Sequence, residues 1–199
     1  MKQEREYREM ELRIAVPETE EQETFKVEGY ASTFQRYKLM TIEDEDFFEQ
    51  ISPDAFKEAD LSDVVFRVDH EGRVYARTSA GTVELWTDEH GLGQRTDLSR
   101  TQAGRDLFYD IKAGNYPKMS FAFIVAKDHF DRETNTRVID RIAKVFDVSP
   151  VSFPANPYTE LSVATRDYFN GVIEMEKAER LEREERERKK QIIKFYLED

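Results

Sequence analysis

"MSFAFIVAKDHF" (119–130) and "TRVIDRIAKVFDVSPVSF" (136–153), separated by the polar stretch "DRETN" (131–135), decide how this chain is read. Both runs are rich in β-branched and aromatic residues, and the residues between them are turn formers, so the segment reads as a β-hairpin. Alternation with period two puts Met119, Phe121 and Phe123 on one face of the first strand, and Ser120 and Ala122 on the other. A hydroxyl thus lies on a rigid strand among small neighbours, where a second backbone can approach closely.

Working outward, Thr101 is placed to cap a helix over "QAGRDLFYDIKAGN" (102–115), in which Leu107, Phe108 and Ile111 recur three to four apart and Gly114 with Asn115 gives a stop. Earlier, "DVVFRVDH" (63–70) reads as a strand. The stretch "RVYARTSAGTVELWTDEHGLGQRTDL" (73–98) reads as two or three more, turning at Ser79–Gly81 and Glu89–Gly93. "MELRIAV" (10–16) and "TFKVEGYAS" (24–32) alternate on either side of the acidic break "PETEEQE" and are expected to form an opening hairpin. In "FQRYKLMTIEDEDFFEQISPDAF" (34–56) acidic residues interrupt the strand pattern and Pro53 stops it, which predicts a long connection with a short helix near Ala55–Ala59. "PANP" (154–157) breaks the chain after the hairpin. The class is mainly β, in the α+β sense.

From about Tyr168 the composition shifts to "FNGVIEMEKAERLEREERERKKQIIKFYLED", with Glu–Arg pairs at helical spacing and too few apolar residues between Leu181 and Ile192 for a heptad seam. This predicts a solvated helix, and hence a division into a β domain, 1–167, and a charged helical extension, 168–199. Charged residues make up 36% of the whole chain, above the usual ~25%, an excess that hints at a solvated segment and is expected to be localised. Lys and Arg number 30 against 42 Asp and Glu, a formal charge of −12, which repels nucleic-acid phosphates and anionic membrane surfaces. The opening residues lack the apolar core of a secretory signal, and no uninterrupted apolar run spans a bilayer, so a soluble cytoplasmic protein is expected. With no cysteine, disulfides, thiolate nucleophiles and cysteine-ligated metals are excluded.

Ser120 needs a base to become a nucleophile, and histidine is the side chain best suited to the task. There are three. His90 lies in the turn "TDEHGLG" and His129 beside "DRETN", whereas His70 ends an apolar strand just before Gly72, at the mouth of a loop. A base gains from a carboxylate on its other nitrogen; Asp69, Glu71 and Asp147 are the candidates. Asp69 and Glu71 flank His70, so in an extended strand they point away from it, whereas Asp147 is an acid within the apolar run Val145, Phe146, Val148. Ser149 and Ser152 show no partner and read as plain strand or turn residues. No H-E-x-x-H pattern, calcium loop or phosphate-binding glycine loop occurs, so no metal or cofactor is expected.

Five blocks, "VEGYASTF", "ISPDAF", "VDHEGRVYARTSAGTVELWTDEHGLGQRTDL", "IKAGNYPKMSFAF" and "FDVSPVSFPANPYTEL", follow one another in the order and approximate spacing seen in the prohead proteases of HK97-like tailed phages, and the chain resembles that family from Val27 to Leu161. The resemblance implies an assemblin-like β-barrel with flanking helices and a serine endopeptidase with His70 and Ser120 as its catalytic pair. It puts Asp147 where the family commonly has Glu, one methylene longer. Related assemblins use a second histidine as third member, which makes His129 an outside candidate. The implied partners are the major capsid protein and its scaffolding domain, within an assembling procapsid in the host cytoplasm, together with self-association and self-cleavage. The implied alternative is a catalytically silent assembly scaffold or binding protein of the same fold.

Overall fold

The described residues form ten strands and two α-helices. The computed structural model describes residues 5–10, 25–152 and 163–197. In chain order they form β1 (Glu6–Met10), β2 (Lys26–Thr33), β3 (Tyr37–Ile42), β4 (Glu45–Ile51), β5 (Val65–Val68), β6 (Glu71–Arg77), a 3-10 turn at Thr78–Ala80, β7 (Val83–Thr87), β8 (Gly91–Asp97), α1 (Gln102–Lys112), β9 (Lys118–Asp131), β10 (Thr136–Val151) and α2 (Val163–Leu197). The chain divides into two compact units, Met1–Glu160 and Leu161–Asp199.

The β9–β10 hairpin is the spine of the first unit. β10 runs for 16 residues, long enough to take β4 parallel along its first part and β5 parallel along its last, while β9 covers its other edge. β1 adds antiparallel to the far edge of β9, β3 pairs with β4, and β6 pairs with β5, giving seven strands. β2, β8 and β7 make a separate antiparallel sheet of three. Val27, Val83 and Leu92 of the smaller sheet share one core with Phe121, Phe123, Ile142 and Val145 of the larger, and with Leu107, Phe108 and Ile111 of α1. Each large side chain so buried contributes roughly 1.5–3 kcal/mol. Phe121 and Phe123 stack at 4.4 Å, as residues two apart on one strand face can. The mainly β class is what the sequence predicts, but the ladders among the described residues form two sheets and none joins them into a closed barrel.

Thr101 caps α1 as expected: its hydroxyl accepts from the Gly104 N–H at 3.0 Å. The prediction for 34–56 was wrong. The stretch folds into the β3–β4 hairpin, and the segment after Pro53 forms successive tight turns instead of a helix. The acids that break its pattern have local reasons. Glu43 and Asp44 take the left-handed conformation at the hairpin turn (φ 48 and 68), Asp46 pairs with Lys38 and Thr41 on the solvent side, and Glu49 is buried with cationic partners. Of the expected partner of β2 in an opening hairpin, 10–16, Met10 ends β1 and pairs with Met119 of β9, and 11–16 lie outside the described residues, as does the break at 154–157; β2 pairs with β8. α2, the second unit, is a 35-residue helix with ion pairs such as Lys189–Glu185 and Lys190–Glu187 at helical spacing.

β1 is held by charge as well as by its ladder. Arg8 donates to both carboxylate oxygens of Glu49 and to Glu6, while Arg137 donates to Glu6 at 2.7 and 3.0 Å, to Glu49 at 3.3 Å and to Asp128. The Tyr37 hydroxyl also donates to Glu49, and burial together with the Glu49 charge holds that phenol well above the usual tyrosine range. Burial alone would raise the Glu6 carboxyl, but the guanidiniums of Arg8 and Arg137 outweigh it and bring it down from 4.5 to about 2. A carboxyl whose folded value is depressed stabilises the fold above its unfolded value and loses that contribution as pH falls towards its folded one. Stability should therefore drop between about pH 4.5 and pH 2, on the order of a few kcal/mol for Glu6. Urea titrations across that range should show a drop that Glu6→Gln reduces; an identical pH profile in the variant would remove Glu6 as its source.

Candidate active site

Two neighbouring strands and one hairpin turn bring polar groups to the same place. Ser120 is the third residue of β9, with its side chain on the face opposite Phe121 and Phe123. In β10, Ser149 stands opposite Ser120 and Asp147 opposite Ala122, so both share the serine face. The register shows why Asp147 is there: Val145 opposes Phe123 and Asp147 opposes Ala122, so Phe146 is one extra residue on β10. Without that bulge Asp147 would oppose Phe121 and face the core.

His70 reaches the pair from β5, which lies on the other side of β10. It occupies a tight hairpin turn between β5 and β6, not the mouth of an open loop. Asp69 and His70 are its two central residues, both left-handed (φ 47 and 59), and Gly72 follows at φ 65. Asp and His are among the side chains that tolerate this region, and two such residues in succession match the twist of a β-hairpin. The turn is anchored on three sides. The Asp69 carboxylate accepts from the N–H of Ser152 at 2.9 Å and from its hydroxyl, the Asp69 N–H donates to the Pro150 carbonyl, and Arg67 donates to the His70 carbonyl at 2.8 Å.

The result is a continuous relay. His70 Nδ1 lies 2.6 Å from Asp147 Oδ1, and His70 Nε2 lies 2.6 Å from Ser120 Oγ. With the Nδ1 hydrogen given to the carboxylate, Nε2 is the acceptor turned towards the hydroxyl. The shorter acid spans the gap, and Ser149 holds it by donating to the same Oδ1 at 2.8 Å. The site is buried: Ser120 is 0% exposed, the Asp147 side chain 3% and that of His70 15%. Low dielectric strengthens each of these contacts.

The other sequence candidates lie elsewhere. His129 is nine residues further along β9, exposed, and bound to Asp140 at 3.0 Å. His90 is exposed beside the Tyr30 ring. Asp69 turns towards Ser152, and Glu71 lies exposed at the start of β6. Sequence reasoning missed Ser149 and Ser152, whose partners come from bulge and turn geometry that no local pattern encodes. It also missed β1, where the Tyr7 ring meets the His70 ring edge-on at 4.7 Å and the Arg8 carbonyl accepts from Ser120 Oγ at 3.0 Å. Among the described residues no cluster of His, Asp or Glu has a metal-ligating arrangement, and no helix is long and apolar enough to cross a membrane.

Hydroxyl, imidazole and buried carboxylate in line form the type of constellation by which serine hydrolases activate their nucleophile. A model of the caudovirus prohead serine protease family matches residues 11–172, and the chain belongs to that family. No curated protein and no solved structure matches it.

If Asp147 sets the tautomer of His70, Asp147→Asn should keep the fold and lower kcat by roughly ten-thousand-fold, because the amide N–H can turn towards Nδ1 and leave Nε2 protonated. Single-turnover peptide cleavage with circular dichroism of both proteins measures this; a rate within threefold of wild type would take Asp147 out of the relay.

Proposed function

We propose that this chain is a serine endopeptidase of capsid maturation, acting inside the procapsid in the host cytoplasm, that removes the scaffolding domain from the major capsid protein and also cuts its own chain. Membership of the prohead protease family supports capsid maturation as the setting. The observation that carries the chemistry is the Ser120–His70–Asp147 series, with 2.6 Å at each link. Ser120 Oγ attacks the scissile carbonyl carbon while His70 Nε2 takes its proton; His70 then gives that proton to the leaving amine. Asp147 orients the ring and stabilises the imidazolium. Water then attacks the acyl ester along the same path and frees Ser120. An assemblin-like barrel, with its two sheets closed by packing over a shared core, is the fold reading that goes with this activity.

Co-expression with the cognate major capsid protein, wild type against Ser120→Ala, followed by intact-mass measurement of both chains, tests it. Loss of an N-terminal piece of capsid protein with wild type alone is the expected result, since removing the nucleophile costs several orders of magnitude in rate. Identical uncut masses would favour a silent scaffold or binding role.

The charged helical extension, 168–199, has a separate part in this reading, docking on scaffold segments so that the protease is packaged with its substrate. Deleting residues 171–199 should lower the number of protease copies per procapsid severalfold while leaving peptide cleavage intact; unchanged incorporation would refute the docking.

A further inference from the structure

Ser120 is fully buried, yet a nucleophile must meet a substrate carbonyl. β9 has two edges at Ser120. β10 holds one, and β1 holds the other, with Glu9 opposite Ser120 and Arg8 opposite Phe121. An extended peptide that presents its backbone to Ser120 would add as a strand at the second edge, the usual way a peptide joins a sheet. β1 is already there, and it engages both members of the catalytic pair. The Arg8 carbonyl accepts from Ser120 Oγ at 3.0 Å and the Tyr7 ring covers His70. A hydroxyl has one hydrogen, so the Arg8 carbonyl competes with His70 Nε2 for the proton that the reaction must move. The hydroxyl meets that carbonyl at its oxygen, not at its electrophilic carbon, so the strand occupies the site without being attacked.

The geometry points to β1 as a resident pseudosubstrate: residues 6–8 fill the substrate-strand groove beside Ser120, keep the enzyme shut, and display the charge pattern of the peptide that the groove accepts. This rests on the serine endopeptidase reading above. Side chains at positions 6 and 8 of an extended strand share a face, and here that face carries Glu6 and Arg8. They meet Arg137 and Glu49, which are themselves 3.3 Å apart. With β1 gone, the groove presents this carboxylate beside this guanidinium, which Asp128 also holds. A substrate strand with an acidic residue two places before a basic one satisfies both, as Glu6-x-Arg8 does; the reversed order would set like charges together in a buried place.

The test is the rate at which a fluorophosphonate labels Ser120, with fluoride leaving phosphorus as Oγ bonds to it, in the full-length chain and in a Glu6→Gln/Arg8→Gln variant that keeps the strand but removes its charges. A chain beginning at residue 11 gives the same comparison should the double variant lose its circular dichroism spectrum. The variant should be labelled at least tenfold faster. A synthetic peptide of residues 2–10 should slow it back towards the wild-type rate, while the same peptide with Glu6→Arg and Arg8→Glu should not. Equal rates in wild type and variant, with Ser120→Ala unlabelled, would overturn the pseudosubstrate and leave the protease reading standing. Equal slowing by both peptides would overturn the charge recognition. No labelling above Ser120→Ala in any chain would remove the protease reading and this inference with it.

Discussion

The antiparallel pairing of β9 with β10 is the constraint on which the rest of the structure depends. β10 is long enough to be shared by β9 on one edge and by β4 and β5 in turn on the other, so one strand sets the positions of most of the larger sheet. A single extra residue, Phe146, turns the register so that Asp147 leaves the core face and joins Ser120. The same bulge keeps Val145 packed with Phe123, and so the apolar face stays continuous while the polar face acquires a carboxylate. One local irregularity serves both packing and chemistry, in line with the tendency of bulges to re-aim side chains next to active sites.

Around that spine, the buried carboxylates of the Ser120 cluster and of the β1 cluster are each met by partners, whereas Arg67 Nε and Gln94 Nε2 are buried without one among the described residues. Asp147 is tolerated at 3% exposure because His70 and Ser149 both meet it. Glu49 is tolerated at 0% because Arg8, Arg137 and Tyr37 surround it. Such ion-pair clusters add little net stability over an apolar core, but they are costly to leave half-made, so they act as selective clamps. Here the clamp holds β1 against the edge of β9 that carries Ser120. Whatever displaces β1 must replace both of its charges.

The turn that carries His70 shows how strain is placed at a working site. Two successive non-glycine residues in the left-handed region cost stability, and the cost is offset by the Asp69–Ser152 and Arg67–His70 contacts that lock the turn to β10 and to its own strand. In exchange the imidazole is held at both nitrogens on an element with little freedom, so the Ser120–His70–Asp147 arrangement is fixed by the fold itself.

Sequence alone determined the mainly β class, the capped helix α1, the β9–β10 hairpin and the charged terminal helix, because each rests on a local period: two for a strand, 3.6 for a helix, and fixed residue types at caps and turns. It also raised Ser120 and Asp147 as polar residues in apolar runs and His70 by its place at a strand end, with Asp69 and Glu71 left beside Asp147, and the family resemblance drew the three together. It misjudged 34–56, since acids such as Glu49 look like strand breakers until their buried partners from β1 and β10 are in place. Tertiary structure decided what local period cannot carry. Residues 50 and 77 positions apart were brought to 2.6 Å through a bulge and a parallel pairing, and β1 was laid beside Ser120. Pairing between distant strands is chosen by which arrangement buries the whole apolar surface while leaving no charge alone, a condition on the entire chain that no single stretch expresses.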